Sequence, residues 1–202
     1  MVNLSMQEVG EMAEDRPRER ADAARNRRAI LDATRALLAE YGGEAITMDR
    51  VAAAAGVGKG TIFHRFGSRA GLLHELVAEP ALALMNAVQD GPPPLGPGAE
   101  PGDRLLAYFG AMTELVVDNL ELMVAYRSES PHPRSEEFHA FWAAHITALL
   151  AEARPDVDAE VVGALLLAPL GGEPAARMVR AGEADRLRAG VLALVEAVLR
   201  RP

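Results

Sequence analysis

Residues 49–66 read DRVAAAAGVGKGTIFHRF, and the fold is decided there. Thr47, just ahead of the stretch, is a residue type whose hydroxyl accepts from the free amides that open a helix. The helix it starts would carry Met48, Val51, Ala52 and Ala55 on one side and end at Gly56, which supplies a left-handed stop after about two turns. Val57 and Ile62 are expected to plug the gap to a second short helix over Lys59–Phe66, while Ala52, Ala53 and Ala55 let the two approach closely. Two short helices joined by a tight glycine turn form a helix-turn-helix, the unit that lays its second helix in a major groove of DNA.

Working outward, apolar residues at Ile30, Thr34, Leu37, Leu38 and Tyr41 predict a first helix over residues 25–41, stopped by Gly42 and Gly43. Residues 1–22 show no periodicity and are expected to form a disordered lead. On the other side, Ser68 can cap a fourth helix with Leu72, Leu73, Leu76 and Val77 inward, which Pro80 is expected to kink or split. Residues 91–102, GPPPLGPGAEPG, cannot be regular structure and read as a loop. Further helical patterns cover about 103–119, 120–129, 135–154, 158–168 and 183–200. The last of them places Leu187, Val191, Leu194, Val195 and Val198 on one stripe that needs a partner surface. Pro169, Gly171, Gly172 and Pro174 predict a break in the helical run. The expected organisation is all-α: a lead over 1–22, a helix-turn-helix domain over 23–68 and a second helical domain over 69–202.

Composition agrees with helices. Half of the 202 residues are hydrophobic, only 4% are aromatic, and there is no cysteine, which excludes disulfides and thiolate metal sites. No signal-peptide core and no run of about 18 apolar residues is present, so a cytoplasmic protein without membrane association is expected. The net charge of −8 is unevenly spread. Residues 16–70 hold 11 Lys and Arg against 6 Asp and Glu, whereas residues 71–202 hold 10 against 19. A basic segment on an acidic body suits a chain that meets phosphates at one end only.

The succession Thr47, Ala52, Ala53, Ala55, Gly56, Val57, Lys59, Gly60, Thr61, Ile62, Phe63, His64, Phe66, Arg69, Leu72 and Leu73 resembles the TetR family of bacterial transcriptional repressors. The resemblance implies a homodimer that reads a pseudo-palindromic DNA operator and is released by a small-molecule effector of unknown identity. By position, Lys59, Gly60, Thr61 and His64 would reach base edges and phosphates from the exposed start of the second short helix. Arg65 and Arg69, with Arg25, Arg27 and Arg28 at the start of the first helix, would contact phosphates. Thr47 and Phe63 complete the expected DNA-binding set. Two positions depart from the family pattern: Gly58 replaces a usual Ser or Thr cap, and Phe63 replaces a usual Tyr, so two hydroxyls are missing. The resemblance also implies an effector cavity among the middle helices, with Tyr108, Met112, Met123, Tyr126, Phe138, Trp142 and His145 as candidates; such residues at helical spacing are more often ordinary core.

Other chemistries fit less well. GVGKGT lacks the spacing and the preceding strand of a phosphate-binding loop, and Gly60 stands where Ser or Thr should follow the lysine. His64, His74, His132, His139 and His145 never take the two-His spacing of a zinc site, and Glu136 with Glu137 suits a helix start. No cofactor, no metal and no catalytic residue is expected. The alternatives are a helix-turn-helix protein without small-molecule control and, more remotely, a helical enzyme.

Overall fold

The computed structural model describes the backbone of residues 6–129 and 135–200 and the side chains of residues 21–129 and 136–200. Among the described residues the regular structure is all helix, and the chain forms two compact units, one ending at Leu72 and the other beginning at Leu73. In chain order the helices are α1 (Met6–Tyr41), α2 (Met48–Ala54), α3 (Lys59–Phe66), α4 (Arg69–Asp90), α5 (Pro101–Asp118), α6 (Leu120–Arg127), α7 (Ser135–Ala153), α8 (Ala159–Leu167), α9 (Glu173–Arg180) and α10 (Ala184–Leu199). The division between the units falls within α4.

In the first unit, Ile30, Leu31, Thr34 and Leu38 of α1 are buried against Val51 and Ala52 of α2 and Ile62 and Phe66 of α3. A spacing of four residues puts Ile30, Thr34 and Leu38, and likewise Ile62 and Phe66, on one face of their helices. The expected stripe on α1 needs one correction: Tyr41 is 51% exposed and lies under the guanidinium of Arg50, 4.2 Å from its centroid. Ala53 likewise faces solvent. Thr47 caps α2 as its hydroxyl accepts from the Arg50 amide at 3.2 Å. The turn into α3 passes through Gly56 at φ +65°, a conformation costly for any residue with a Cβ. α1 itself begins at Met6, so residues 6–22, expected to lack structure, have helical backbone. The Ala, Arg and Glu residues of 18–28 are strong helix formers, and propensity carries the helix past the last apolar position.

The second unit centres on α5 and α10. Leu105, Phe109, Met112 and Val116 of α5 meet Leu187, Val191 and Val195 of α10, with Trp142, Ile146, Leu149 and Leu150 of α7 completing the core. On the predicted α10 stripe, Leu194 is 55% exposed and stands outside that core. α4 is not split by Pro80; the helix runs unbroken from Arg69 to Asp90. One lost amide hydrogen bond is outweighed by the buried Leu76, Ala81 and Leu84 on either side of it. The break predicted at Pro169–Pro174 is present as a 3₁₀ turn, Ala168–Gly171, after which a further short helix, α9, forms. No sequence pattern above anticipated α9.

Two features close the second unit. Arg154 at the end of α7 is only 7% exposed; it pairs with Asp156 and donates to the carbonyls of Val198 and Arg200, tying α7 to the end of α10. α8 lies so near α7 that a Cβ at Gly163 would stand 3.0 Å from Ile146 Cγ2. Replacing Gly163 with Val should therefore lower stability by about 1–3 kcal/mol through overpacking. Chemical denaturation checks it, and an unchanged midpoint would show that α8 can move away without cost.

Candidate functional site

The first unit presents one polar helix to solvent. Ile62 and Phe66 pin α3 to the core, leaving Lys59, Gly60, Phe63, His64 and Arg65 exposed and Thr61 half-buried. Gly58 precedes the helix without a side-chain cap; the Thr61 amide donates to the Gly58 carbonyl at 2.9 Å, and the Lys59 and Gly60 amides have no hydroxyl partner and remain open to an anion. At Gly60 a Cβ would meet nothing within 4 Å. A helical glycine costs roughly 0.5–1 kcal/mol relative to Ala, and packing within the chain does not explain it. Phe63 is 42% exposed, an aromatic ring set in the middle of a polar face.

Around that face the expected cations are differently engaged. Lys59 Nζ lies 2.7 Å from Asp49 Oδ1 in an exposed pair, which a phosphate can displace at little cost. Arg25 pairs with Asp22 on the exposed side of α1, where Arg27 and Arg28 also stand in solvent. Arg69 is engaged within the unit. Its Nε donates to the Ile46 carbonyl at 2.7 Å and its Nη2 to the Gly43 carbonyl at 2.7 Å. The guanidinium holds the loop between α1 and α2 instead of standing ready for phosphate. Sequence reasoning missed Arg50, whose exposed charge above Tyr41 belongs to the same unit; the two residues are brought together by the intervening turn, and no local pattern links them.

The second unit contains a cavity of about 320 Å³. Five of the seven expected residues line it: Met112, Met123, Tyr126, Phe138 and Trp142. Tyr108 and His145 do not. They are packed behind Trp142 in the core, with the Tyr108 ring 5.5 Å from that of Trp142 and 5.4 Å from that of His145. Tyr108 Oη, His145 Nε2 and Arg104 Nε are buried without a hydrogen-bond partner among the described residues. Burial pushes the Tyr108 hydroxyl far above the ordinary tyrosine range. It also lowers the His145 pKa, an effect reinforced by the nearby charge of Arg104.

Among the lining residues not anticipated are three with polar side chains: His74, Arg127 and His139. His74 is 3% exposed, and its Nδ1 lies 3.1 Å from the Tyr126 hydroxyl. A signal for it did exist, since His74, Val77 and Ala81 follow helical spacing and all three line the cavity. Arg127 and His139 are exposed at its edge. No group of three or more His, Asp or Glu residues able to hold a metal occurs among the described residues, and none of the described helices is long and apolar enough to cross a membrane.

Comparison with known proteins places this geometry. Residues 30–76 match the family model of bacterial regulatory proteins, tetR family. No curated protein sequence matches the chain. Among solved structures, the chain is similar to a TetR-family transcriptional regulator described as putative from Rhodococcus sp., at 20% identity, covering 88% of this chain and 100% of that one with a TM-score of 0.64. It is similar to NalD of Pseudomonas aeruginosa, the secondary repressor of a multidrug efflux pump, at 19% identity, 89% and 98% coverage and a TM-score of 0.65. It is also similar to the fatty acid degradation regulator FadR of Bacillus halodurans, at 18% identity, 83% and 96% coverage and a TM-score of 0.63. At these identities the likeness is one of fold.

Two outcomes test the local chemistry. Arg69→Met should cost about 1.5–3 kcal/mol, the range for hydrogen bonds from a charged donor, in urea denaturation of the DNA-free protein; a variant of unchanged stability would return Arg69 to the phosphate-binding set. For His145, the fold favours the neutral ring, so its contribution is intact above the ordinary pKa of 6.5 and is lost as pH falls through that value. Wild type should then lose more stability on acidification than His145→Gln, and parallel pH profiles of the melting temperature would refute this.

Proposed function

We propose that this chain, a member of the tetR family of bacterial regulatory proteins, is a homodimeric repressor that binds a pseudo-palindromic operator and leaves it when a small molecule fills the second unit's cavity. The observation that carries the DNA reading is the outer face of α3. An uncapped helix start, a glycine that nothing in the chain requires, and an exposed Phe63 beside His64 and Arg65 make a poor surface for water and a good one for a groove. Gly60 allows close backbone approach, Phe63 offers apolar contact to a thymine methyl, and His64 can hydrogen-bond a base edge. Lys59, Arg65, Arg27 and Arg28 supply charge for phosphates, with Arg25 and Thr47 flanking.

Dimerisation is supported by Val161 and Leu165, one turn apart on α8 and 52% and 66% exposed, and by Leu194 of α10 at 55%. Large aliphatic side chains left open on two helices of one unit suit burial against a second copy. Two copies would present two α3 helices to half-sites about 34–36 Å apart. An effector acts only through its differential affinity for the DNA-binding conformer and the released one, and the apolar cavity offers the volume for such a difference. Repression agrees with what the Pseudomonas neighbour is described as doing.

Selection of a randomised duplex pool at about 150 mM salt should enrich an inverted repeat with half-site centres roughly 10 base pairs apart. Arg65→Ala should weaken binding evenly across sequences and reduce the salt slope by about 1, whereas His64→Ala should relax one base position by about 1–3 kcal/mol. Retention without any enriched sequence would remove the operator reading.

A further inference from the structure

The cavity's lining is chemically lopsided. Met112, Val116, Phe138, Trp142 and Leu170 make its wall apolar, and none of its described lining residues is Asp or Glu. Its polar side chains divide into two kinds. His74 and Tyr126 are bonded to each other at 3.1 Å and so are already satisfied in part without a guest. Arg127 is different: it ends α6 at the solvent edge of the cavity, and no hydrogen bond or ion pair joins its guanidinium to any described residue. Its Nη1 would lie 3.4 Å from a Cβ built on Gly171, which sets the guanidinium against a glycine of the cavity wall.

We infer that the cavity takes an amphiphilic carboxylate: an apolar body among Met112, Phe138 and Trp142, with its carboxylate held at the edge by Arg127. The inference rests on the effector-cavity reading above and names the class of molecule that would fill it. A planar guanidinium presents paired donors that match a carboxylate's two oxygens. At the edge neither charge needs full desolvation, while the apolar wall removes the body from water. The exposed His139 imidazole is a second donor at the same edge. With one fixed positive charge and no lining carboxylate, a cationic amphiphile is disfavoured by the same geometry that admits an anion. The Tyr126 hydroxyl, next to Arg127 in the chain, can accept or donate to one oxygen-bearing group on the body.

The test uses the full chain and two matched pairs of probes, decanoate with decanol and 2-naphthoate with 2-naphthylmethanol, titrated calorimetrically at neutral pH. The two shapes separate the headgroup from the fit of the body. The expected result is that at least one acid binds about tenfold more tightly than its alcohol. Arg127→Gln should bring that acid down to the level of its alcohol and leave the alcohol's affinity unchanged, and Arg127→Lys should restore part of the difference. The melting temperature of the unliganded Arg127→Gln variant should equal that of wild type, because the replaced side chain is exposed and unpaired within the described structure. If the alcohols bind as tightly as the acids, or if Arg127→Gln leaves the acid's affinity intact, the carboxylate assignment falls while the cavity reading stands. If neither member of either pair binds, both fall together.

Discussion

At Gly56 the backbone enters the left-handed region, and the usefulness of the first unit depends on that turn. With φ at +65° the chain reverses after α2 within three residues and delivers Ile62 and Phe66 into the space beside Val51 and Ile30. Once those two apolar residues are buried, helical periodicity turns Gly60 and His64 away from the core and sets Phe63 at its flank, while Lys59 stands exposed at the first position of the helix. The recognition surface is thus a consequence of core packing. A Cβ at position 56 would meet no neighbouring atom within 4 Å, so the requirement for glycine is conformational and not one of space. The turn is further fixed by the Val57 amide, which donates to the Ala52 carbonyl at 3.0 Å and ends α2 in place.

Arg69 supports the same arrangement from the other side. The segment between α1 and α2 is a short 3₁₀ turn, Gly43–Ala45, in which the Gly43 carbonyl already accepts from the Ile46 amide at 3.1 Å. By bonding Gly43 and Ile46 together, the guanidinium sets where α2 begins, and Thr47 then caps it. A charged side chain near a proposed DNA surface is therefore consumed as structure. Lys59 and Asp49 show the opposite case. Their pair is exposed on both sides, is worth at most about 1 kcal/mol, and so can open when a phosphate offers the same lysine a stronger field.

These contrasts explain what was legible in the residues alone. α2 and α3 could be bounded closely because a capping Thr47, a positive-φ glycine and a burial spacing of four are all local signals. α1 could not be bounded at its start, since helix formers continue where the apolar stripe ends. Tyr41 fitted the stripe by spacing but stands at the frayed edge of the helix, where a cation on a later element claims its ring. The role of Arg69 depends on carbonyls 23 and 26 residues away, and such partners leave no trace in a linear pattern. In the second unit, aromatic and methionine residues at helical spacing gave five lining residues, but Tyr108 and His145 share that spacing and point into the core. Periodicity tells which face is inward, not whether the space it faces is filled.

The break at Pro169–Pro174 shows how an apparent defect can be a requirement. A continuous helix there would not be open to Pro169 and Pro174 without loss of backbone hydrogen bonds. Instead Pro169 and the glycines force a 3₁₀ turn that folds Leu170 into the core at 4% exposure and leaves Gly171 and Gly172 as wall. At Gly172 a Cβ would stand 3.2 Å from Pro174 Cδ, so this turn tolerates little else. The cost is a run of unfavourable helix residues at 168–174; what it leaves is an apolar cavity bounded on one side by bare backbone. Cavity and break are then two views of one constraint. The chain gives up helix where the cavity opens, and the Arg127 guanidinium stands at that margin.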